Sequence, residues 1–202
     1  MNNIFDIGSL HWDDERGYGF DSTPPMSYSG NGYFSKYQDL DRTEMGVRLT
    51  QARRELVAAH YLGYDIIDIG IGGGRFCIEH GAYGYDVSNE ALDWLKINGM
   101  YKDPYLHYSD ALTFWDSLEH IPDPAKIVRT ARRWVFVSMP IYMSKEHCLM
   151  SKHYKPGEHL HYWTDAGLVR WFAEQGFVCV TCNDIETQIG RDGILSYAFK
   201  RI

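Results

Sequence analysis

The chain lacks the features that mark membrane, secreted or nucleic-acid-coating proteins. None of its apolar runs, of which Trp134 to Met139 is typical, is long enough to cross a bilayer. The N-terminus shows no basic flank followed by an apolar stretch, so we expect no signal peptide and no membrane partner. Basic residues are outnumbered by acidic ones, and the formal net charge of −7 disfavours attachment to nucleic acid by long-range attraction.

Cysteine is scarce and has no framework spacing. The four residues are Cys77, Cys148, Cys179 and Cys182. We therefore expect reduced thiols and a cytoplasmic protein. The C-x-x-C pair at 179 and 182 lies in an apolar run rather than at a helix start, which favours buried thiols over a redox pair.

Aromatic residues are abundant at 15%, and tyrosines are frequent near the N-terminus. Glycines and prolines before residue 33, Gly30 among them, break any helical or strand period. We expect residues 1–40 to form an aromatic, glycine-rich arm or lid before one domain at 41–202. Tyr33, Phe34 and Tyr37 are the residues expected to close over a ligand, with ordinary packing on the sheet edge as the alternative.

From residue 41 onward, short apolar runs alternate with amphipathic segments. The pattern predicts strands at 64–69, 82–87, 111–115, 134–139, 177–181 and 194–199. It predicts helices at 41–62, 75–80, 89–97, 122–133 and 165–175, with Asp41 or Thr43 capping the first and 144–161 irregular. This alternation is typical of an α/β protein whose mostly parallel sheet is covered on both faces.

The most informative segment is Asp68-Ile-Gly-Ile-Gly-Gly-Gly74, placed between a strand and a helix. Glycines there allow a tight turn and let a ligand approach the main chain. Asp86 ends the next strand, where a carboxylate suits a ribose diol. We therefore predict a nucleoside site at the carboxyl ends of these two strands, the alternative being a turn that binds nothing.

The loop departs from two common phosphate-binding patterns. Arg75 stands where a dinucleotide fingerprint needs glycine, which disfavours a nicotinamide oxidoreductase. The Gly-Lys-Ser/Thr ending of a phosphate-cradling loop is absent. Asp68 would repel a pyrophosphate and attract an ammonium group. The loop therefore favours a cationic nucleoside without phosphate.

Residues 68–76 and 84–88 resemble the first two motifs of class I S-adenosylmethionine-dependent methyltransferases. Residues 116–124, 135–140, 157–164 and 171–177 resemble later segments of the small-molecule branch of that family, in the same order. The resemblance implies a Rossmann-like sandwich whose mostly parallel sheet has an antiparallel last strand. Between 98 and 110 the third strand of the family is lost or shortened.

The resemblance also implies an enzyme with S-adenosylmethionine as cofactor. The glycines would face its methionine part, Asp68 its amino group, Asp86 its ribose, and 116–118 its sulfonium and adenine. The residues expected to bind the cofactor are Asp68, Gly70, Gly72, Gly74, Asp86, Val87, Asp116, Ser117, Leu118 and Tyr37. An aromatic face at Tyr37 suits a sulfonium through cation–π attraction.

A base is needed if the methyl acceptor is a hydroxyl or a protonated amine. His120 is the first candidate, with capping or packing as its alternative, and His161 is the second. We expect no metal ion, because the spacing among five nearby residues follows no pair-plus-pair pattern. These five are His147, Cys148, His153, His159 and His161.

Three functions remain open from the sequence. The first is methyl transfer to an oxygen or nitrogen of a small molecule, the second is modification of a nucleic acid, and the third is non-catalytic cofactor binding. Asp116-Ser-Leu-Glu stands in place of the motif used for amino methylation of bases. Lys126, Arg129, Arg132 and Arg133 form a basic helix face, interpreted as solvated surface with a nucleic-acid contact as alternative. The arm could also be exchanged between the subunits of a homodimer.

Overall fold

The computed structural model describes residues 4–7, 9–28 and 32–202, with backbone alone for residues 4–7. In chain order the strands are β1 (Ile4–Ile7), β2 (Leu10–Asp13), β3 (Tyr18–Asp21), β4 (Ile66–Ile69), β5 (Tyr83–Tyr85), β6 (Ser109–Trp115), β7 (Ala131–Pro140), β8 (His161–Trp163), β9 (Phe177–Asn183) and β10 (Ile194–Arg201). The helices are α1 (Tyr33–Arg42), α2 (Glu44–Ala58), α3 (Arg75–His80), α4 (Asn89–Ile97), α5 (Pro124–Val128), α6 (Lys145–Met150), α7 (Asp165–Glu174) and α8 (Ile185–Ile189).

The larger sheet has six strands in the order β5-β4-β6-β7-β10-β9. The first four are parallel, and β10 is antiparallel to both of its neighbours. This arrangement confirms the mostly parallel sheet with an antiparallel last strand. Next to β5, the described residues contribute a single parallel bridge, between Gly84 and Tyr101. The third strand of the family is therefore shortened, as expected.

Buried apolar side chains cover both faces of this sheet. One cluster joins the sheet to α7 through Phe172, which stacks on Phe199 of β10 with ring centroids 3.7 Å apart. The other joins it to α2 through Leu56 and Val57, which pack with Phe136. The sheet is thus held between helical layers, and the carboxyl ends of β4, β5 and β6 lie along one edge.

The N-terminal segment differs from the expected irregular arm. Strands β1, β2 and β3 form an antiparallel meander, and β8 extends it, so that Gly19 pairs with Tyr162. Leu10 and Trp12 are buried on one side while His11 between them is exposed. This period of two spans only four residues of β2, which is too short a signal to stand out among turn-forming residues. Gly30 lies outside the described residues.

The helices differ from the sequence pattern at four places, one of which is α8, a helix that the pattern did not predict. Helix α1 was not predicted, and α2 begins after Thr43, whose side chain accepts a hydrogen bond from the backbone N–H of Gly46. This confirms Thr43 as the cap. Helix α5 ends at Val128, so Arg132 and Arg133 lie on β7 and the expected basic helix face is not formed. Residues 144–161, expected to be irregular, contain α6 and the first residue of β8.

The thiols follow the sequence only in part. Cys77 and Cys148 are buried free thiols, and Cys179 is a half-buried free thiol. Cys182 is exposed, so the expectation of two buried thiols in β9 was wrong for this residue. An edge strand exposes alternate side chains, and residues an odd number of positions apart lie on opposite faces. In the described part of the chain, no helix combines the length and the apolar character needed to span a membrane.

Candidate active site

The glycine loop connects β4 to α3 at the carboxyl edge of the sheet. Its turns require positive φ angles, which are 75° at Gly70, 56° at Gly72 and 86° at Gly74. The three glycines face different neighbours: a Cβ at position 70 would meet Ser117 and one at 74 would meet Trp94. Position 72 alone faces Tyr37 of α1, at 3.6 Å. Gly72 is therefore the glycine that faces the aromatic segment, which consists of Tyr33, Phe34 and Tyr37 of α1.

Asp86 lies beside this loop, as the sequence predicted. One carboxylate oxygen accepts a hydrogen bond from the backbone N–H of Ile71 at 3.0 Å, and the other accepts from Ser88 at 2.8 Å. Burial raises the pKa of Asp86 despite these bonds. Each carboxylate oxygen has a second lone pair, so the group can still accept from a diol. The neighbouring Val87 is exposed.

Asp68 lies beneath the glycine loop and is buried there. Its carboxylate accepts from the Thr113 hydroxyl at 2.6 Å and faces the Cys77 thiol at 3.8 Å, and only 1% of the residue is exposed. Burial raises its pKa to about 7. The carboxylate therefore supports the loop from below, and its place near a ligand's amino group stays a prediction.

Helix α1 packs directly on the glycine loop. A Cβ at Gly73 would lie 2.7 Å from the backbone nitrogen of Gln38, a distance that only glycine permits. Phe34 is buried against Ile71, and the hydroxyl of Tyr33 donates to that of Tyr37 at 3.2 Å. The aromatic segment thus covers the loop with one buried and two half-buried rings.

The segment after β6 begins with a strained residue. Asp116 has a φ of 54°, and its carboxylate is held by Arg191 and Arg53. Both arginines also bind the fully buried Glu186. Burial opposes ionisation of Asp116, but Arg191 outweighs it and lowers the pKa of the carboxyl. A carboxylate with these partners anchors the turn, which the sequence did not reveal.

Ser117 and Leu118, the two residues after Asp116, also make contacts within the protein interior. The Ser117 hydroxyl donates to the backbone carbonyl of Ile69. Leu118 is fully buried in the main core, so its side chain packs inside the protein. Contacts from this segment to a ligand would therefore come from the main chain.

His120 has one free ring nitrogen. Its Nδ1 lies 2.6 Å from the carbonyl oxygen of Glu158 and 2.9 Å from the hydroxyl of Tyr28. Burial lowers the pKa of His120, which favours the neutral ring. Nε2 faces the Glu119 carboxylate at 4.0 Å. The expected first base is therefore placed beside the loop-covering tyrosines with an available nitrogen.

Two buried groups beside His120 were not predicted as site residues. The Glu119 carboxylate and the Nδ1 atom of His159 find no hydrogen-bond partner within the described residues. Burial raises the pKa of Glu119, with the charge of Asp116 adding to the effect, and burial lowers the pKa of His159 to about 2. The adjacency of Glu119 to His120 was a visible signal, whereas the approach of His159 depends on the fold.

His161 is not available as the second base. Its Nε2 lies 2.9 Å from the carbonyl oxygen of Ile121, to which it donates, and its Nδ1 lies 2.7 Å from the Tyr18 hydroxyl. The residue is 6% exposed, and burial lowers its pKa to about 4. The two nitrogens thus connect β8 to β3 and to Ile121, which follows the 3-10 turn Leu118–His120.

Comparison with known proteins gives a consistent family. The profile of the family described as "Methyltransferase domain" matches residues 41–182. A ubiquinone biosynthesis O-methyltransferase of Paraburkholderia phymatum is 30% identical over 106 positions, covering 40% of this chain and 46% of that protein. The match thus spans less than half the length of this curated relative.

Solved structures share the fold across most of the chain. Magnesium protoporphyrin IX methyltransferase of Synechocystis PCC 6803, with bound SAH, superposes with a TM-score of 0.56 at 15% identity, covering 87% of this chain and 91% of that one. The 1,6-didemethyltoxoflavin-N1-methyltransferase of Burkholderia thailandensis superposes with a TM-score of 0.54 at 13% identity, covering 96% and 99%. At sequence identities this low, the similarity shows a shared fold and nothing more.

Proposed function

The chain belongs to the family of methyltransferase domains, and we propose that it transfers the methyl group of S-adenosylmethionine to an oxygen or nitrogen atom of a small-molecule acceptor. One observation carries this proposal. Asp86 and the glycine loop, which would face the nucleoside, lie at the same sheet edge as the buried polar side chains around His120. The aromatic side chains of α1 lie over both groups. Tyr33 connects the two sides, because its ring contacts both Tyr37 above Gly72 and Tyr28 beside His120.

The residues of the crevice fit the cofactor. Asp86 retains acceptor capacity for a ribose diol, and the main chain of the glycine loop is open to close approach at Gly72. Tyr37 supplies an aromatic ring next to that glycine. When bound, S-adenosylmethionine supplies an electrophilic methyl group on a sulfonium whose departure leaves a neutral thioether. The protein's main contribution is to orient the acceptor in line, which can supply on the order of 7–11 kcal/mol.

We assign the acceptor side to the surroundings of His120. The Nε2 atom of the neutral ring can take the proton that an acceptor hydroxyl or ammonium loses. The Tyr28 hydroxyl contacts Nδ1, the other nitrogen of this ring, and Tyr33 packs on Tyr28. Both tyrosines are half-buried and able to orient a polar acceptor near His120. Such a half-buried, aromatic surrounding suits a small ring compound better than a polymer backbone.

The distribution of basic residues supports a small acceptor over nucleic acid. Arg133 is engaged with Asp110 at 3.6 Å and lies over Tyr61. Arg129 donates to Gln175, and Lys126 lies over the ring of Tyr105. These charges are spread over a helix and a strand and do not form the continuous stripe that phosphate tracking needs.

The proposal is tested with the purified protein and S-adenosylmethionine labelled at its methyl group. The acceptor panel contains phenols, catechols, hydroxylated heterocycles and amines, with duplex DNA, single-stranded DNA and RNA in parallel. We expect label to enter at least one small compound and S-adenosylhomocysteine to form in equal amount. Transfer into nucleic acid alone, accompanied by a gel shift at low salt, would overturn the small-acceptor proposal.

A further inference from the structure

Three side chains beside the crevice converge on one point. Ligand atoms of Glu119, His120 and His159 all lie within 4.8 Å of one another. Glu119 is 1% exposed and His159 is 4% exposed, and the two imidazole rings meet edge to face with centroids 4.7 Å apart. The cluster is therefore built into the protein rather than scattered on its surface.

The hydrogen bonds fix which nitrogen of His120 faces the cluster. A backbone carbonyl accepts only, so the 2.6 Å contact with Glu158 places the proton on Nδ1. Nε2 then carries a lone pair and points to Glu119. Histidines that bind metals use this same arrangement, in which one nitrogen donates to a carbonyl and the other coordinates.

The other two groups lack partners that would explain their burial. Across residues 9–28 and 32–202, neither oxygen of Glu119 nor Nδ1 of His159 has a hydrogen bond. The nearby cations are engaged elsewhere: Arg191 holds Asp116 and Glu186, and Lys155 pairs with Glu158 at 3.0 Å. A buried carboxylate without a partner is costly, and a bound cation removes that cost.

We propose that Glu119, His120 and His159 bind a divalent first-row transition-metal ion through a carboxylate oxygen and one nitrogen of each ring. Two imidazoles favour zinc, iron, nickel or copper over calcium and magnesium, which prefer oxygen ligands. Three protein ligands leave at least one coordination position for another molecule. The site shares only His159 with the five residues considered in the sequence, for which we expected no metal ion.

The consequence for catalysis rests on the proposed function. An acceptor hydroxyl bound at the open position becomes more acidic. Its proton leaves to water, the oxygen forms the bond to the methyl carbon, and the carbon–sulfur bond breaks with its electron pair remaining on sulfur. His120 then holds the ion instead of taking a proton. The site thus narrows the acceptor to a hydroxyl compound able to reach a metal ion.

The test uses the full chain, freed of metal with a chelator and then dialysed. Co²⁺ is titrated while visible absorption is recorded, and Zn²⁺ is added in a thermal unfolding series. We expect saturation at one equivalent per chain and a rise in the unfolding temperature. His159→Ala and Glu119→Gln should weaken binding by about a hundredfold or more, beyond the effect of losing an outer contact. His107→Ala, an exposed histidine, is the matched control and should bind as the parent.

Glu119→Gln keeps the shape of the side chain and removes its buried charge, so the metal-free variant should fold at least as well as the parent. Equal Co²⁺ binding by Glu119→Gln and the parent, or no saturable binding by the parent, would overturn the metal site. Calorimetry with S-adenosylmethionine and the labelling assay, both run in chelator, separate the two proposals. Methyl transfer unaffected by chelator leaves the proposed function standing and removes the catalytic role of the ion.

Discussion

Asp41, near the end of α1, is bonded twice to Arg75, the first residue of α3. Its carboxylate accepts from the backbone N–H of Arg75 at 3.2 Å, and its carbonyl accepts from the guanidinium at 2.7 Å. The covering helix is thereby tied to the helix that follows the glycine loop. Any movement of α1 away from the crevice must break both bonds.

Gly73→Ala tests the packing of α1 on the loop. The added Cβ would lie 2.7 Å from the Gln38 backbone, and such overpacking costs about 1–3 kcal/mol. We expect the open fraction of α1 to rise at least about fivefold. Faster proteolysis at Lys36 or Tyr37 would report it. Ser35→Ala, on the exposed side of the same helix, is the control, and equal protection of both variants would contradict the close approach.

Asp86→Ala tests the ribose assignment. Loss of a charge-assisted acceptor should lower the affinity for S-adenosylmethionine and S-adenosylhomocysteine at least about tenfold, equivalent to about 1.4 kcal/mol. Isothermal calorimetry measures both constants. Asp93→Ala, an exposed carboxylate on α4, should bind like the parent. Unchanged affinity in a folded Asp86→Ala protein would remove the assignment.

Asp68→Asn tests the buried carboxyl under the loop. Because burial raises the pKa of Asp68 to about 7 from 3.8, the folded state binds its proton more tightly than the unfolded state. The stability of the parent should therefore fall as the pH rises from about 4 to about 7, by an amount on the order of 3–4 kcal/mol.

The asparagine variant cannot ionise, so its free energy of unfolding should lose this component of the pH dependence. Urea unfolding of parent and variant at several pH values measures the difference. Asp93→Asn serves as the control and should follow the parent. A difference between parent and variant that stays constant from pH 4 to pH 7 would show that Asp68 has an ordinary pKa.

Arg191→Met tests the ion cluster behind the turn at residue 116. The substitution leaves Asp116 and the fully buried Glu186 short of a partner, which should reduce the free energy of unfolding by about 3–5 kcal/mol. Arg42→Met removes an exposed ion pair with Asp39 and should change it by less than about 1 kcal/mol. Equal effects of the two substitutions in urea would contradict a structural role for the cluster.

The sequence predicted best what depends on local order along the chain. The glycine loop, the position of Asp86 and the alternation of strands with helices follow from motifs whose residues are neighbours in sequence. The sequence did not predict side-chain direction, such as the packing of Leu118 in the core. Nor did it predict pairs that only the fold brings together, such as Asp116 with Arg191 or His120 with His159. The N-terminal strands were missed because each is only four residues long.

The pairing of β3 with β8 has a consequence for how the molecule assembles. Tyr18 meets Trp163 across this pair, so the meander gains its last strand only after most of the chain has been synthesised. High contact order of this kind slows folding. Since His159 lies two residues before β8, the same late event sets its place beside His120. We therefore expect the β3 edge to stay unpaired and prone to aggregation in a ribosome-bound chain that stops before residue 163.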